Sequence, residues 1–220
     1  MRTRILLVVI LCAALLSACT PKETGFTGTW TGNVAIVTLK QDGENVTGTI
    51  EGYGGYWNVT VAGKVSGSTL TFDGDTPLGK LAIILADDSQ SFHSADPATA
   101  FCASRKSTLP EGCGFSGTWK LKSDLVPAGS VAKLTQSIAS VTGSVYGPDG
   151  KVLVPLNATV NWGKGWQAIG ANAWGDFTLS MTADEKAFGL AANNQFSNEW
   201  CGLREGESSA YVMYFTCTVP

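Results

Sequence analysis

The sequence predicts an all-β protein, a duplicated antiparallel β-meander that closes into one or two barrels behind an N-terminal signal helix. Three observations predict it. Glycine makes up 26 of 220 residues, well above the usual ~7%. No stretch beyond residue 20 keeps a helical period. The second half of the chain also repeats the first, in the same order.

The first element is a leader. Met1-Arg-Thr-Arg4 is basic, Ile5 to Leu16 is apolar almost throughout, and Ser17-Ala18 are small. A positive end, a short apolar core and a small-residue cleavage site form a secretory signal over residues 1–18. The apolar run is shorter than the ~20 residues a membrane-spanning helix needs. Leu16-Ser17-Ala18-Cys19 resembles the lipobox of bacterial lipoproteins. That resemblance implies cleavage before Cys19 and acylation of the cysteine, which would hold the protein to a membrane by its fatty chains. Thr20 stands where an inner-membrane retention signal has Asp, so the resemblance points to the outer membrane of the bacterial envelope. Residues 19–24 then hold the acylated cysteine and a short tether, Thr20 to Thr24, that extends only about 17 Å.

The first β repeat covers residues 25–113 and the second residues 114–220. "GFTGTW" from Gly25 returns as "GFSGTW" from Gly114, and "LKQDGENVTGTI" from Leu39 as "LTQSIASVTGSV" from Leu134. "LADDSQSF" from Leu85 is echoed by "MTADEKAF" from Met181, and "FCASR" from Phe101 by "WCGLR" from Trp200. The separation of matched segments only grows along the chain, as duplication with later insertions requires.

Within a repeat the strands alternate. Val46 and Ile50 interleave with Thr47 and Thr49; Trp57, Val59, Val61 and Val65 share one parity; Leu70 and Phe72 interleave with Thr69 and Thr71. Phe177, Leu179 and Met181 do the same in the second copy. Such alternation marks half-buried strands. "QDGEN", "SGS" and "DGD" supply turn residues that accept positive φ. "LAIIL", Leu81 to Leu85, is apolar on both parities and is expected to be covered on both faces. About six strands per repeat are expected, as in a barrel or sandwich.

Export into an oxidising compartment bears on the cysteines. With Cys12 in the signal and Cys19 acylated, Cys102, Cys113, Cys201 and Cys217 remain for disulfides. Three pairings exist; the repeat favours Cys102–Cys113 with Cys201–Cys217, and a cross-repeat pairing stays open. Zinc is disfavoured by one histidine and no Cys-x-x-Cys spacing. No cofactor or metal is expected. The net charge of −3, more negative once the leader's arginines are lost, argues against nucleic acid as a partner.

Each repeat opens with Gly-x-Trp (Trp30, Trp119) and ends near an arginine (Arg105, Arg204). This resembles the calycins, the lipocalin and avidin superfamily of β-barrels. The resemblance implies that Arg105 lies over Trp30 and Arg204 over Trp119 as structural plugs of a barrel base. Whether the chain forms two small barrels or one large one stays open at this point.

Catalytic candidates are weak. His93 has Gly189 at the equivalent place and no serine motif to partner it, so it reads as a strand-end histidine. Asp87-Asp88 and Asp184-Glu185 recur between strands, where turns need such residues, and Asp73-Gly74-Asp75 lacks the other ligands of a calcium loop. An enzyme is not expected. Tyr53, Tyr56, Trp162 and Trp166 stand among glycines and are candidates for an exposed contact with a glycan, membrane or protein, whereas Trp57 is in phase with the core. The expected function is therefore non-catalytic binding of a lipid, small apolar molecule or glycan in a barrel or aromatic cleft. The alternative is an accessory lipoprotein that docks on an envelope protein, and an envelope hydrolase is a distant third.

Overall fold

A computed structural model describes residues 24–162, 166–193, 195–212 and 215–219, with residues 195–199 as backbone alone. The signal, lipobox and Cys19 fall outside the described residues.

The chain is all-β and forms two closed eight-stranded antiparallel barrels. Barrel 1 runs up and down through β1 (Gly28–Gly32), β2 (Ala35–Asp42), β3 (Asn45–Gly52), β4 (Asn58–Ser66), β5 (Thr69–Phe72), β6 (Ala82–Leu85), β7 (Ser91–Ser94) and β8 (Cys102–Ser104). It closes where Thr31 and Gly32 of β1 pair with Ser104 and Ala103 of β8. Barrel 2 repeats this plan with β9 (Gly117–Lys122), β10 (Val131–Ser137), β11 (Ser140–Tyr146), β12 (Val152–Asn161), β13 (Gln167–Asn172), β14 (Gly175–Met181), β15 (Ala187–Ala192) and β16 (Gln195–Arg204). Pairing of β16 with β9, Arg204 opposite Trp119, closes it. The repeat thus holds eight strands rather than about six; short strands such as β8 carry too few residues to show an alternation. A third small element, the hairpin β17 (Ala210–Val212) and β18 (Phe215–Cys217), follows.

Alternation explains the walls. In β2, Val37 and Leu39 are buried while Thr38 and Lys40 are exposed; in β12 the inward set is Val154, Leu156, Ala158 and Val160. Each fully buried Leu, Val or Phe contributes about 1.5–3 kcal/mol by leaving water. Gly48 and Gly143 hold equivalent places because a Cβ there would strike the carbonyl oxygens of Thr38 and Lys133 across the sheet. β6 departs from expectation: Leu81 and Ile83 are buried, but Ile84 on the outer face is only half-buried, with no second layer over that wall among the described residues.

The outer wall of barrel 2 is covered at one place. Ala187, Cys201 and Leu203 point outward from β15 and β16 and bury Ala210, Val212 and Cys217 of the C-terminal hairpin. The disulfides are Cys102–Cys113 and Cys201–Cys217. The first clips β8 to the strap of residues 105–113; the second clips β16 to the hairpin.

Candidate functional site

The end of each barrel where the chain enters is its base. In barrel 1, Arg105 lies with its guanidinium 4.0 Å from the Trp30 ring centroid. It donates to the carbonyls of Ser89 (2.8 Å), Thr27 (2.6 Å) and Gly25 (2.8 Å). Barrel 2 repeats this: Arg204 lies 4.1 Å over Trp119 and donates to Glu185, Ser116 and Gly114. Each indole N–H donates to a carbonyl four residues earlier, that of Phe26 or Phe115. Gln41 and Gln136 accept the amides of those same phenylalanines. Each nitrogen of the two guanidiniums and each indole N–H donates to a backbone carbonyl, as a structural plug requires.

The opposite end of each barrel is its mouth. That of barrel 1 carries Asn33, Tyr53 and the loop through Ala100, and the base of barrel 2 sits on it. Asn33 is wholly buried. Its Nδ2 donates to Ala100 O and, at 2.7 Å, to Glu185 Oε1 of barrel 2. Glu185 Oε2 accepts the Gly114 amide at 2.7 Å. Burial pushes the Glu185 carboxyl up to about 7, against the two hydrogen bonds and the Arg204 charge, which act to lower it. Beside this polar contact the Tyr53 ring packs 4.7 Å from Trp162, which meets Trp166 edge-on at 6.1 Å.

Three of the four aromatics expected to form an exposed contact are therefore engaged in the joint or against the core. Tyr53 is half-buried, its hydroxyl donates to Gly32 O, and burial holds its pKa up at about 12. Trp162 and Trp166 pack on the core of barrel 2. Tyr56 alone is exposed, at 69%. The expectation of an exposed aromatic group is corrected for Tyr53, Trp162 and Trp166, whose rings are covered at the joint or on the barrel 2 core. Trp57 packs on the barrel 1 core, in phase with Val59.

Among the described residues, no segment covers the mouth of barrel 2. Leu125, Val126, Trp174 and Leu190 ring it, and below them Phe177, Leu179 and Phe188 fill the interior, leaving a cavity of about 30 Å³. That volume admits a water or two and falls far below the ~300 Å³ of a small-molecule pocket. Its lining is mostly aliphatic and aromatic, with Ser123 and Asn172 the polar members. Leu125, Val152 and Leu153 are exposed around this end. Residue 24 leaves barrel 1 at its base, so this mouth is two barrel lengths away, about 50 Å from strand rise and tilt.

His93 is exposed on β7. Asp88 and Asp184 bond to amides of their own turns. No three His, Cys, Asp or Glu side chains gather as metal ligands among the described residues. His93 and Asp96 of barrel 1 and Asp184, Glu185, Lys186 and Arg204 of barrel 2 line one open groove of about 270 Å³ beside the joint, which brings His93 and the Asp184-Glu185 turn to the same place.

Compared with known proteins, the chain matches no family model, no curated protein and no solved structure. The functional reading therefore stands on sequence and geometry. What sequence reasoning missed is Glu185: its turn position was legible, but its burial was not. The signal lay in the repeat itself, which puts Glu185 opposite Ser89, an acid gained in one copy only.

Proposed function

We propose that this chain is a lipid-anchored protein of a bacterial envelope that acts by non-catalytic docking, through the apolar mouth of barrel 2. The observation that carries this reading is the apolar rim of Leu125, Val152 and Leu153 at the end of the molecule farthest from residue 24. Solvent-exposed aliphatics grouped around an apolar opening mark an interaction surface. The filled interior below favours a partner that rests on the rim over a ligand swallowed whole. Two disulfides support an oxidising compartment, and the up-and-down order with its Arg–Trp plugs supports the calycin resemblance. Cys19 is the proposed acylation site, and the short tether then places the base of barrel 1 at the membrane and the mouth of barrel 2 away from it.

A second reading, a lipid or small apolar molecule at the same mouth, is favoured by the lining, which is mostly hydrocarbon. A glycan gains no support there, since it needs polar partners. Labelled palmitate should appear on the chain and be lost with Cys19→Ala. Trp174 at the mouth provides a probe for the second reading: lauric acid titrated into the full chain in detergent should leave its fluorescence unchanged if docking is right. In cells, photocrosslinks from Leu125 to one envelope protein should vanish with Leu153→Asp. Crosslinks that survive this change, or the absence of any, would overturn the docking reading.

A further inference from the structure

The chain passes from one barrel to the other with no linker. Cys113 is held to barrel 1 by its disulfide with Cys102 at the start of β8. The next residue, Gly114, is held to barrel 2, where its amide donates to Glu185 Oε2 and its carbonyl accepts from Arg204. Further contacts cross the joint beside this point. Glu185 Oε1 accepts from Asn33, which is itself bonded to Cys102 through backbone and side chain. The Tyr53 ring packs on Trp162. The strap crosses too: Leu109 N donates to Gln136 O at 2.8 Å, Thr108 bridges Ser137 of β10, and the Leu109 side chain is buried against Cys102 and Cys113. A body attached at one point keeps its rotations, at two points it turns about one axis, and at three points out of line it does not turn.

We infer that the two barrels are one rigid body and that barrel 1 serves barrel 2 as a spacer, holding the far mouth at a fixed distance from the tether. The mouth of barrel 1 is closed by Tyr53, Trp57 and the base of barrel 2, and its base by the Arg105 plug. What barrel 1 contributes is therefore length and direction. The joint is built for this one contact. In the repeat, Lys122 stands in the place of Asn33, Pro148 in that of Tyr53 and Ser89 in that of Glu185. The free mouth and the free base thus lack the groups that join mouth to base inside the chain, so a second copy has no such joint to make at either end. The spacer role rests on the docking reading of the barrel 2 mouth; the rigid joint stands without it.

The test of the joint is an end-to-end distance, read by electron paramagnetic resonance in the full chain with both disulfides intact. Spin labels go on non-natural side chains at Glu44, at the base of barrel 1, and Lys151, at the mouth of barrel 2, both exposed. The distance should be single, about 50 Å, and as narrow as that of a reference pair within barrel 1, the exposed Lys40 and Thr71. A broader or divided distribution overturns the rigid joint. The test of the spacer is Gly-Ser-Gly-Ser inserted between Cys113 and Gly114, which should broaden the distance and, in cells, lose the Leu125 crosslink while palmitate labelling persists. An undiminished crosslink from a chain whose distance has broadened overturns the spacer role. Should the insertion prevent folding, Glu185→Ala with Trp162→Ala takes its place, since it removes two of the attachments. A wild type with a narrow distance but no crosslink loses the docking reading and the spacer role with it, and keeps the rigid joint.

Discussion

Replacing Arg105 by alanine removes three hydrogen bonds and a cation–π contact from the base of barrel 1. A guanidinium over an indole contributes about 0.5–2 kcal/mol. Buried acceptors left without a partner cost about 1–3 kcal/mol each, but the carbonyls of Gly25, Thr27 and Ser89 lie at an open end and regain water. The expected loss is therefore about 3 kcal/mol. Arg204→Ala removes the same bonds in barrel 2, yet its acceptors lie at the joint, where barrel 1 restricts water. That loss should exceed the first by about 1–2 kcal/mol. Urea unfolding followed by tryptophan fluorescence measures both, with each barrel fitted as its own transition. Lysine at either position should recover less than half, because a point charge cannot serve three carbonyls as the guanidinium fork does. An Arg105→Ala cost below about 1 kcal/mol, or equal costs at both sites, would refute the reasoning.

Four further outcomes are expected. Replacing Cys201 and Cys217 together by alanine should lower stability by about 3 kcal/mol in the chain-entropy model, and proteolysis should then release the hairpin of β17 and β18. Gly143→Ala, which drives a methyl at the Lys133 carbonyl, should cost about 1–3 kcal/mol, and Gly48→Ala the same in barrel 1; calorimetry reads both. Burial holds the Tyr53 pKa up at about 12, so absorbance titration should show a late-titrating component that Tyr53→Phe removes. Since its folded value lies above the ordinary one, the fold loses stability as pH rises from about 10 to about 12. The same sign holds for Glu185: stability that is full below pH 4.5 declines as pH rises to about 7, by about 3 kcal/mol at most, which melting temperatures across pH 4 to 8 would show.

The amino-acid order by itself determined the all-β class, most strands, the duplication and the cystine partners favoured by it, while the shortest strands stayed hidden. These are local or repeated signals: period-two alternation in "TLTF" and "DFTLSM", glycines at turns, and a cysteine pair in each copy. It also brought Trp30 to Arg105 and Trp119 to Arg204, through a resemblance that names ends of one unit. How the two units meet was decided only in three dimensions. Tyr53, Trp162 and Glu185 are spread across the chain, and nothing in their flanks says that the base of one barrel would close the mouth of the other. Burial of Glu185 follows from a surface that exists only once both barrels have closed, because a carboxyl on a turn is exposed until a second body covers it. The same stacking leaves one mouth covered and the other, ringed by Leu125, Trp174 and Leu190, facing away from the tether.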